Sequence, residues 1–415
     1  MNKTHYYDLG YAFRNSKIWK RIYEEELFAV KLPLKGHPIG YCCVMGRDGE
    51  HMALAVYIGA EGFTSYRIIA NSDPDHMHGG VPGMFKQDCI QCSVEQRDMF
   101  DPDELDALRD YCEKSGTPFR APYPQFTRYY PYCVPWKVEK ADDWKAIEAA
   151  LLVMVKLAAE IKNQGKAALG LRPVSVGLHD QAYATEQLSL FGDPTDDDVT
   201  IPLYSIVDGQ LVTERIPLPP YTEKNPAAPT AVNEIAVAKL MQKKQMGTLE
   251  CEIIRMPSPV DGDPPYFPAV TMTVDDNGYA ITPVITEGRM YDPDEMINHF
   301  IESLGEIYPK TIKIRTEETR ILLEPFCRKA KIHLEETNDM DLLDEAVESM
   351  VDYMLGDGDR DEDEDVDIED MIDMLDNLTV EQIQMLPDPL LDQIVDAAEY
   401  FPDDIVRKIQ KARRG

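Results

Sequence analysis

The chain has 415 residues, which is enough for two or three domains that each bury a core of their own. Its 75 acidic and 42 basic residues leave a formal charge of −33, which argues against indiscriminate binding to nucleic acid or anionic membranes, because both need clustered positive charge. Eight scattered cysteines fit a reducing cytosol rather than a disulfide framework, and no apolar stretch is long enough to span a bilayer. We therefore expect a cytoplasmic protein that has no signal peptide and does not associate with membranes.

The sequence predicts an α+β fold whose first domain covers residues 1–165 and contains a small antiparallel sheet. Helical spacing and capping residues predict helices over residues 6–27, 101–115 and 141–161. Short runs of apolar and β-branched residues predict strands over residues 28–32, 41–45, 52–57 and 89–94. The turn residues 46–49 indicate that the second and third strands form a hairpin.

The first domain contains one weak candidate for a metal site. Cys89 and Cys92 form a CxxC pair, and His76 and His78 lie just upstream, so this segment contains four residues that could ligate zinc. If residues 89–94 form a strand, however, positions three apart point to opposite faces and the two thiols cannot bind one ion. We therefore predict no metal and no other cofactor.

An aromatic run covers residues 123–136 of the same domain. It could serve as a platform on which a flat ligand stacks. The interpretation that we favour is a proline-braced loop folded onto its own core.

Residues 166–230 form a proline-rich connection that carries the most specific motif in the chain. Gln187, Leu188, Ser189, Leu190 and Phe191 read QLSLF, followed by a turn and three aspartates. This motif resembles the short peptide with which bacterial replication and repair proteins bind the DNA sliding clamp. The resemblance implies that the leucines and the phenylalanine fill apolar pockets while the glutamine forms hydrogen bonds. Alternatively, the leucines form one face of a strand. A hairpin over residues 201–218 is predicted just after the QLSLF motif.

A second domain is predicted over residues 231–355. Three strands (249–256, 270–274 and 279–285) are preceded by a helix over residues 232–246. They are followed by helix, strand, helix, strand and helix over residues 292–304, 311–315, 317–330, 331–335 and 342–354. From the first strand onward, this resembles the element order of the ribonuclease H-like fold, which implies an α/β domain.

The ribonuclease H-like resemblance implies an alternative function, a metal-dependent phosphodiesterase or nuclease. Such enzymes hold two metal ions on carboxylates that converge from several elements. The acids that could contribute are Glu252, Glu295, Glu302, Glu317 and Asp344. The first strand lacks the aspartate typical of the family, and the fourth ends in Arg315, so we expect a non-catalytic copy of the fold.

Both domains together also resemble a pair of uncharacterised bacterial domains of unknown function that occur fused in proteins of this size. The matching residues in the first domain are Tyr41–Gly46, Gly49-Glu50, Tyr57–Gly59, Tyr123–Phe126 and Pro135-Trp136. In the second domain they are Pro309–Ile312 and Leu342–Asp344. The resemblance implies no known activity.

The chain continues with an acidic linker over residues 356–376 and a small helical tail over residues 377–415. Twelve acids and one arginine lie between Asp357 and Asp376, and like charges at this density predict a solvated linker. Taken together, the sequence predicts a non-catalytic interaction or adaptor protein with a protein partner. The specific candidate for that partner is the sliding clamp.

Overall fold

The computed structural model describes residues 4–72, 83–177, 182–184, 199–221 and 226–356. Its helices are α1 Thr4–Ser16, α2 Gly59–Ala70, α3 Pro102–Ser115, α4 Ala141–Gln164, α5 Glu234–Leu240, α6 Pro293–Ser303, α7 Glu317–Ala330 and α8 Asp341–Gly356. Strands of the first region are β1 Phe28–Lys31, β2 Ile39–Met45, β3 Ala53–Ile58, β4 Cys89–Glu95, β5 Tyr123–Tyr129, β6 Trp136–Lys137, β7 Val174–Val176, β8 Ala182–Ala184, β9 Thr200–Val207 and β10 Gln210–Pro217. Strands of the second region are β11 Thr248–Arg255, β12 Ala269–Asp275, β13 Ala280–Ile285, β14 Thr311–Ile314 and β15 His333–Glu336. The predicted α+β class is confirmed.

The first sheet is larger than predicted, and its eight strands lie in the order β10-β9-β1-β2-β3-β4-β5-β6. All neighbours are antiparallel except β1 and β9, which pair in parallel through Ala29 with Leu203 and Val30 with Tyr204. The predicted hairpin at Asp208-Gly209 is present, as β9 and β10. It extends the first sheet instead of standing apart in the connection. The reason is that β9 presents Ile201, Leu203 and Tyr204 to the same cores that the first domain builds.

Both faces of the first sheet are covered. Alternate side chains of β1 to β4, among them Phe28, Val44 and Ile90, pack against α1 and α4 in one core. The intervening side chains, among them Tyr41 and Ala55, face Phe63 of α2 and the valines of β7 in a second core. Because the sheet is buried on both sides, its central strands are almost continuously apolar.

The second sheet has five strands in the order β13-β12-β11-β14-β15. β11, β12 and β13 are antiparallel neighbours, whereas β14 runs parallel to both β11 and β15. On one face, Leu249, Cys251 and Ile253 of β11 pack with α5, α6 and α7. The alternate residues of β11 face the other side of the sheet, where the Leu343 amide of α8 donates to Glu250.

Three local predictions were wrong. Helix α1 ends at Ser16 rather than at residue 27, because Lys17 adopts a left-handed conformation with φ 49° that an α-helix cannot continue through. Helix α5 is shorter than predicted and ends at Leu240. The first half of the aromatic run is the strand β5, paired with β4 from Tyr123 to Tyr129, since tyrosine, phenylalanine and threonine suit a pleated surface.

The chain divides into a compact unit, Met1–Glu348, and a second unit, Ser349–Gly415. Of the second unit only residues 349–356 are described, so the predicted acidic linker beyond Gly356 and the predicted helical tail lie outside the described residues. No helix in the described ranges combines the length and the apolar character needed to cross a membrane.

Candidate functional site

The predicted docking peptide, residues 187–191, lies outside the described residues. Its neighbours on either side are described: β8 ends at Ala184 and β9 begins at Thr200. The sliding-clamp interpretation therefore stays a prediction.

The CxxC pair lies on strand β4, and its two thiols belong to opposite faces of the sheet. Cys89 packs in the core with α2, whereas Cys92 packs in the core with α1 and α4. Burial raises the pKa of Cys89 to about 12 and also raises that of Cys92, so both thiols stay protonated at neutral pH. His76 and His78 lie outside the described residues. The two cysteines are core residues and cannot chelate one ion together.

The five candidate catalytic acids are divided between two faces of the second sheet. Glu252 of β11 and Asp344 of α8 lie on one side, where Arg315 contacts both. Glu295 and Glu302 are exposed on α6, whose buried side chains pack on the opposite face. Glu317, exposed at the start of α7, forms an ion pair with Arg320. Within the described ranges, no group of three or more acidic, histidine or cysteine residues could hold a metal ion.

Around Glu252 the structure shows a network of opposite charges, in which Glu252 and Arg315 are buried and Asp344 is exposed. Arg315 Nε lies 3.6 Å from Glu252 Oε2, and the same arginine donates from Nη2 to Asp344 Oδ1 at 2.7 Å. Glu250 lies two residues before Glu252, on the same face of β11. It accepts hydrogen bonds from Lys313 Nζ at 3.2 Å and from the Leu343 amide at 3.0 Å. Lys313 belongs to β14 and Arg315 directly follows it, and parallel pairing of β14 with β11 places Lys313 beside Glu250. The acids of β11 are thus matched by bases in β14 and immediately after it.

Burial is the largest influence on the pKa of Glu252. Its side chain is 3% exposed, and burial raises the pKa of the carboxyl, while a hydrogen bond from Thr316 and the charge of Arg315 act in the opposite direction. One of its oxygens, Oε1, has no hydrogen-bond partner. A carboxyl in this setting is held by an arginine side chain and not exposed to a substrate.

The two sheet regions meet at a contact that we call the seam, formed by residues 130–134 with Arg255, residues 265–267, Arg289 and Tyr291. The backbone there pairs like a short antiparallel ladder: the Val134 amide donates to Pro265 and the Phe267 amide donates to Tyr132. Aromatic packing of Phe85 on Phe267, with ring centroids 4.4 Å apart, adds an apolar contact. The seam therefore joins the two regions through both backbone and side chains.

Cations and tyrosine rings alternate along the seam. The guanidinium of Arg255 lies 3.8 Å from the centroid of Tyr132, and Arg255 Nη1 donates to the carbonyl oxygen of Arg289 at 3.1 Å. The ring of Tyr130 has three cations near its centroid, Arg128 at 4.2 Å, Lys140 at 4.8 Å and Arg289 at 5.5 Å. This arrangement is a second candidate site, and its chemistry suits anions.

Sequence reasoning did not find the residues of the seam as a group. The aromatic run at residues 123–136 was the available signal, because it contains Tyr130 and Tyr132. The arginines that complete the cluster, Arg255 and Arg289, belong to the second sheet region. Nothing in their local sequence connects them to the tyrosines.

Comparison with known families identifies both regions. Residues 4–172 match the family described as Domain of unknown function (DUF7309), and residues 235–351 match the family described as Domain of unknown function (DUF6930). The chain therefore carries two fused domains of unknown function, which confirms the resemblance noted from its sequence. No curated protein and no solved structure matches the chain.

Proposed function

We propose that this protein is a non-catalytic interaction protein that is recruited to the DNA sliding clamp through Gln187, Leu188, Leu190 and Phe191. The glutamine would form hydrogen bonds, and the leucines and the phenylalanine would fill an apolar pocket on the clamp. The support for the partner is the five-residue motif, since such peptides concentrate their binding energy in a few buried anchors.

The observation that carries the non-catalytic part is the position of Arg315 between Glu252 and Asp344. A phosphodiesterase of the ribonuclease H-like type needs carboxylates that converge on metal ions. Here the arginine occupies the space between the two acids at 3.6 and 2.7 Å, and its positive charge matches theirs. Glu250 is matched in the same way by Lys313.

The charge of the chain supports recruitment through a protein partner. With a formal charge of −33, the protein as a whole is repelled by the phosphate backbone, so approach to DNA through the clamp avoids a direct electrostatic cost. A cytoplasmic location is part of the proposal. Its support is that all eight cysteines are buried and free, as in a reducing compartment.

The test is a titration of the intact protein, and of a synthetic peptide covering residues 185–193, against purified sliding clamp. We expect both to bind with micromolar affinity and the Leu190→Ala, Phe191→Ala double variant to lose binding. The matched control is Leu152→Ala with Tyr279→Ala, which removes two exposed apolar side chains elsewhere and should leave binding unchanged.

Two results would contradict the proposal in different ways. Binding by the peptide but not by the intact protein would mean that the motif is not accessible in the folded chain. Magnesium- or manganese-dependent cleavage of DNA or RNA that Glu252→Gln abolishes would show that the second domain is catalytic.

A further inference from the structure

We propose that a phosphate group binds at the edge of the seam, at the ring of Tyr130 and between Arg289 and the neighbouring Lys140. This site is independent of the docking peptide and lies where the two family domains meet. Lys140 and Tyr130 belong to the first domain, and Arg289 belongs to the second. A ligand held by both cations would contact both domains at once.

The first argument is that the three cations around Tyr130 are not equally neutralised. The charge of Arg128 is neutralised, because Arg128 donates to Asp88 at 2.6 Å and to the carbonyl oxygens of Cys89 and Tyr129, and its Nε, which makes no hydrogen bond, lies 3.5 Å from Asp143. Its side chain is only 11% exposed, so Arg128 supports the structure of the site and is not a ligand-binding group. The ring of Tyr130 adds its negative face but no formal charge.

Lys140 and Arg289, by contrast, have donors to spare. Neither forms an ion pair with a carboxylate of the described residues within 4.0 Å. Within the described residues, the Arg289 guanidinium donates weakly from Nη1 to Cys133 Sγ at 3.9 Å. A guanidinium carries five N–H donors, so most of those on Arg289 remain available to a ligand.

A third donor in the seam also lacks a hydrogen-bond partner. Arg255 Nη2 is buried in a side chain that is only 5% exposed, and it makes no hydrogen bond. Glu318 lies 3.5 Å away and balances the charge of this group. Arg255 is already fixed next to Arg289 by its bond to the Arg289 carbonyl.

The ligand chemistry follows from these groups. Arginine and lysine bind phosphate through charge-assisted hydrogen bonds of about 2.8 Å, and arginine does so with two parallel donors. Lys140 Nζ and the Arg289 guanidinium lie 4.8 and 5.5 Å from the same ring centroid, so an anion of the length of pyrophosphate can contact both. Because the chain as a whole is strongly acidic, attraction is confined to short range, and binding should weaken as salt is added.

The experiment is calorimetric titration of the full-length protein with inorganic pyrophosphate at low ionic strength. We expect saturable binding, weakened at least about tenfold by Lys140→Gln and by Arg289→Gln, because each removes a charge-assisted hydrogen bond. The matched controls are Lys137→Gln and Arg109→Gln. Each removes a cation that lies over another aromatic ring, Trp136 or Phe119, outside the seam, and each should leave the affinity within about twofold.

Two further measurements keep the test decisive. Near-ultraviolet circular dichroism of each variant separates loss of a ligand contact from loss of the seam, and Lys140 is exposed, so its replacement should preserve the fold. Competition with a short single-stranded oligonucleotide identifies the source of the phosphate as a nucleic-acid backbone if it displaces pyrophosphate, and as a small phosphorylated molecule if it does not. Absence of saturable pyrophosphate binding, or unchanged binding in Lys140→Gln, would overturn the proposal.

Discussion

Arg255 of the second domain lies on the ring of Tyr132 of the first, with its guanidinium 3.8 Å from the ring centroid. The arginine side chain is 5% exposed and also lies 3.5 Å from Glu318. A cation that stacks on an aromatic ring away from water is held more strongly than one on the surface. This pair therefore fixes the contact between the two domains and makes the seam a defined feature.

Replacement of Arg255 by alanine should destabilise the protein by about 3 kcal/mol, because it removes the stacking and leaves Glu318 without its cation. The stability of Arg255→Lys should lie between that of Arg255→Ala and that of the natural protein, since lysine keeps the charge but lacks the planar group. Urea denaturation measures the difference. Arg109→Ala is the control: that arginine lies over Phe119 on the surface, and we expect a change of at most about 0.5 kcal/mol. Equal effects of the two alanine variants would contradict this role of Arg255.

The buried pair of Glu252 and Arg315 should show strong coupling. Arg315→Met alone should cost about 3 kcal/mol, because it leaves a buried carboxylate without its counter-charge. Adding Glu252→Gln should recover at least about 1 kcal/mol of this loss. A double-mutant cycle by chemical denaturation measures the coupling. Arg320→Met, which removes the more exposed ion pairs of Arg320 with Glu317, Glu324 and Glu336, should cost less than about 1 kcal/mol. Additive effects of the two buried substitutions would mean that the pair is not coupled.

Asp294 should make stability depend on pH on the acidic side. Hydrogen bonds from the Ala231 amide and the Thr230 side chain lower the pKa of Asp294 below its usual value. A depressed folded-state pKa contributes stability above the unfolded-state pKa, and this contribution is lost as the pH falls through the folded-state pKa. Asp294→Asn should therefore have a lower free energy of unfolding than the natural protein at pH 7. This difference in free energy, the stability gap, should narrow below about pH 4.

Denaturation curves from pH 7 to about pH 3 measure this gap. Thr230→Val removes one of the donors to Asp294. In a protein that carries this change, Asp294→Asn should lower the free energy of unfolding by less, and this loss should depend less on pH. A gap of equal size at both ends of the range would show that Asp294 does not act through its charge.

Thr319 should be sensitive to loss of its hydroxyl. It is completely buried at the first turn of α7, and its oxygen accepts a hydrogen bond from the Ile253 amide of β11 at 3.0 Å. Thr319→Val keeps the shape but leaves that buried amide unpaired, which should cost about 2 kcal/mol. Thr319→Ser keeps the acceptor and should cost about 1 kcal/mol, for the lost methyl group. Thermal or urea denaturation of the two variants decides the comparison, and a valine variant as stable as the serine variant would contradict it.

Local sequence determined many of the elements. Asp101-Pro102 and Asp292-Pro293 predicted the beginnings of α3 and α6, and Asp208-Gly209 predicted the turn between β9 and β10. These predictions were confirmed because capping and turn formation depend on residues that are adjacent in the chain. Alternation along a strand also predicted that Cys89 and Cys92 lie on opposite faces of the sheet, and they do.

Only the tertiary structure decided which distant residues meet. It paired β9 with β1, placed Arg315 between Glu252 and Asp344, and brought Arg255 onto Tyr132. Each of these contacts joins residues that are far apart in the chain, and a charged or aromatic residue carries no local mark of its partner. The sequence alone determined the α+β class, the order of most elements and the acidic character of the chain. The sites depend on sheet pairing and domain contact, because packing chooses among many possible partners of similar local preference.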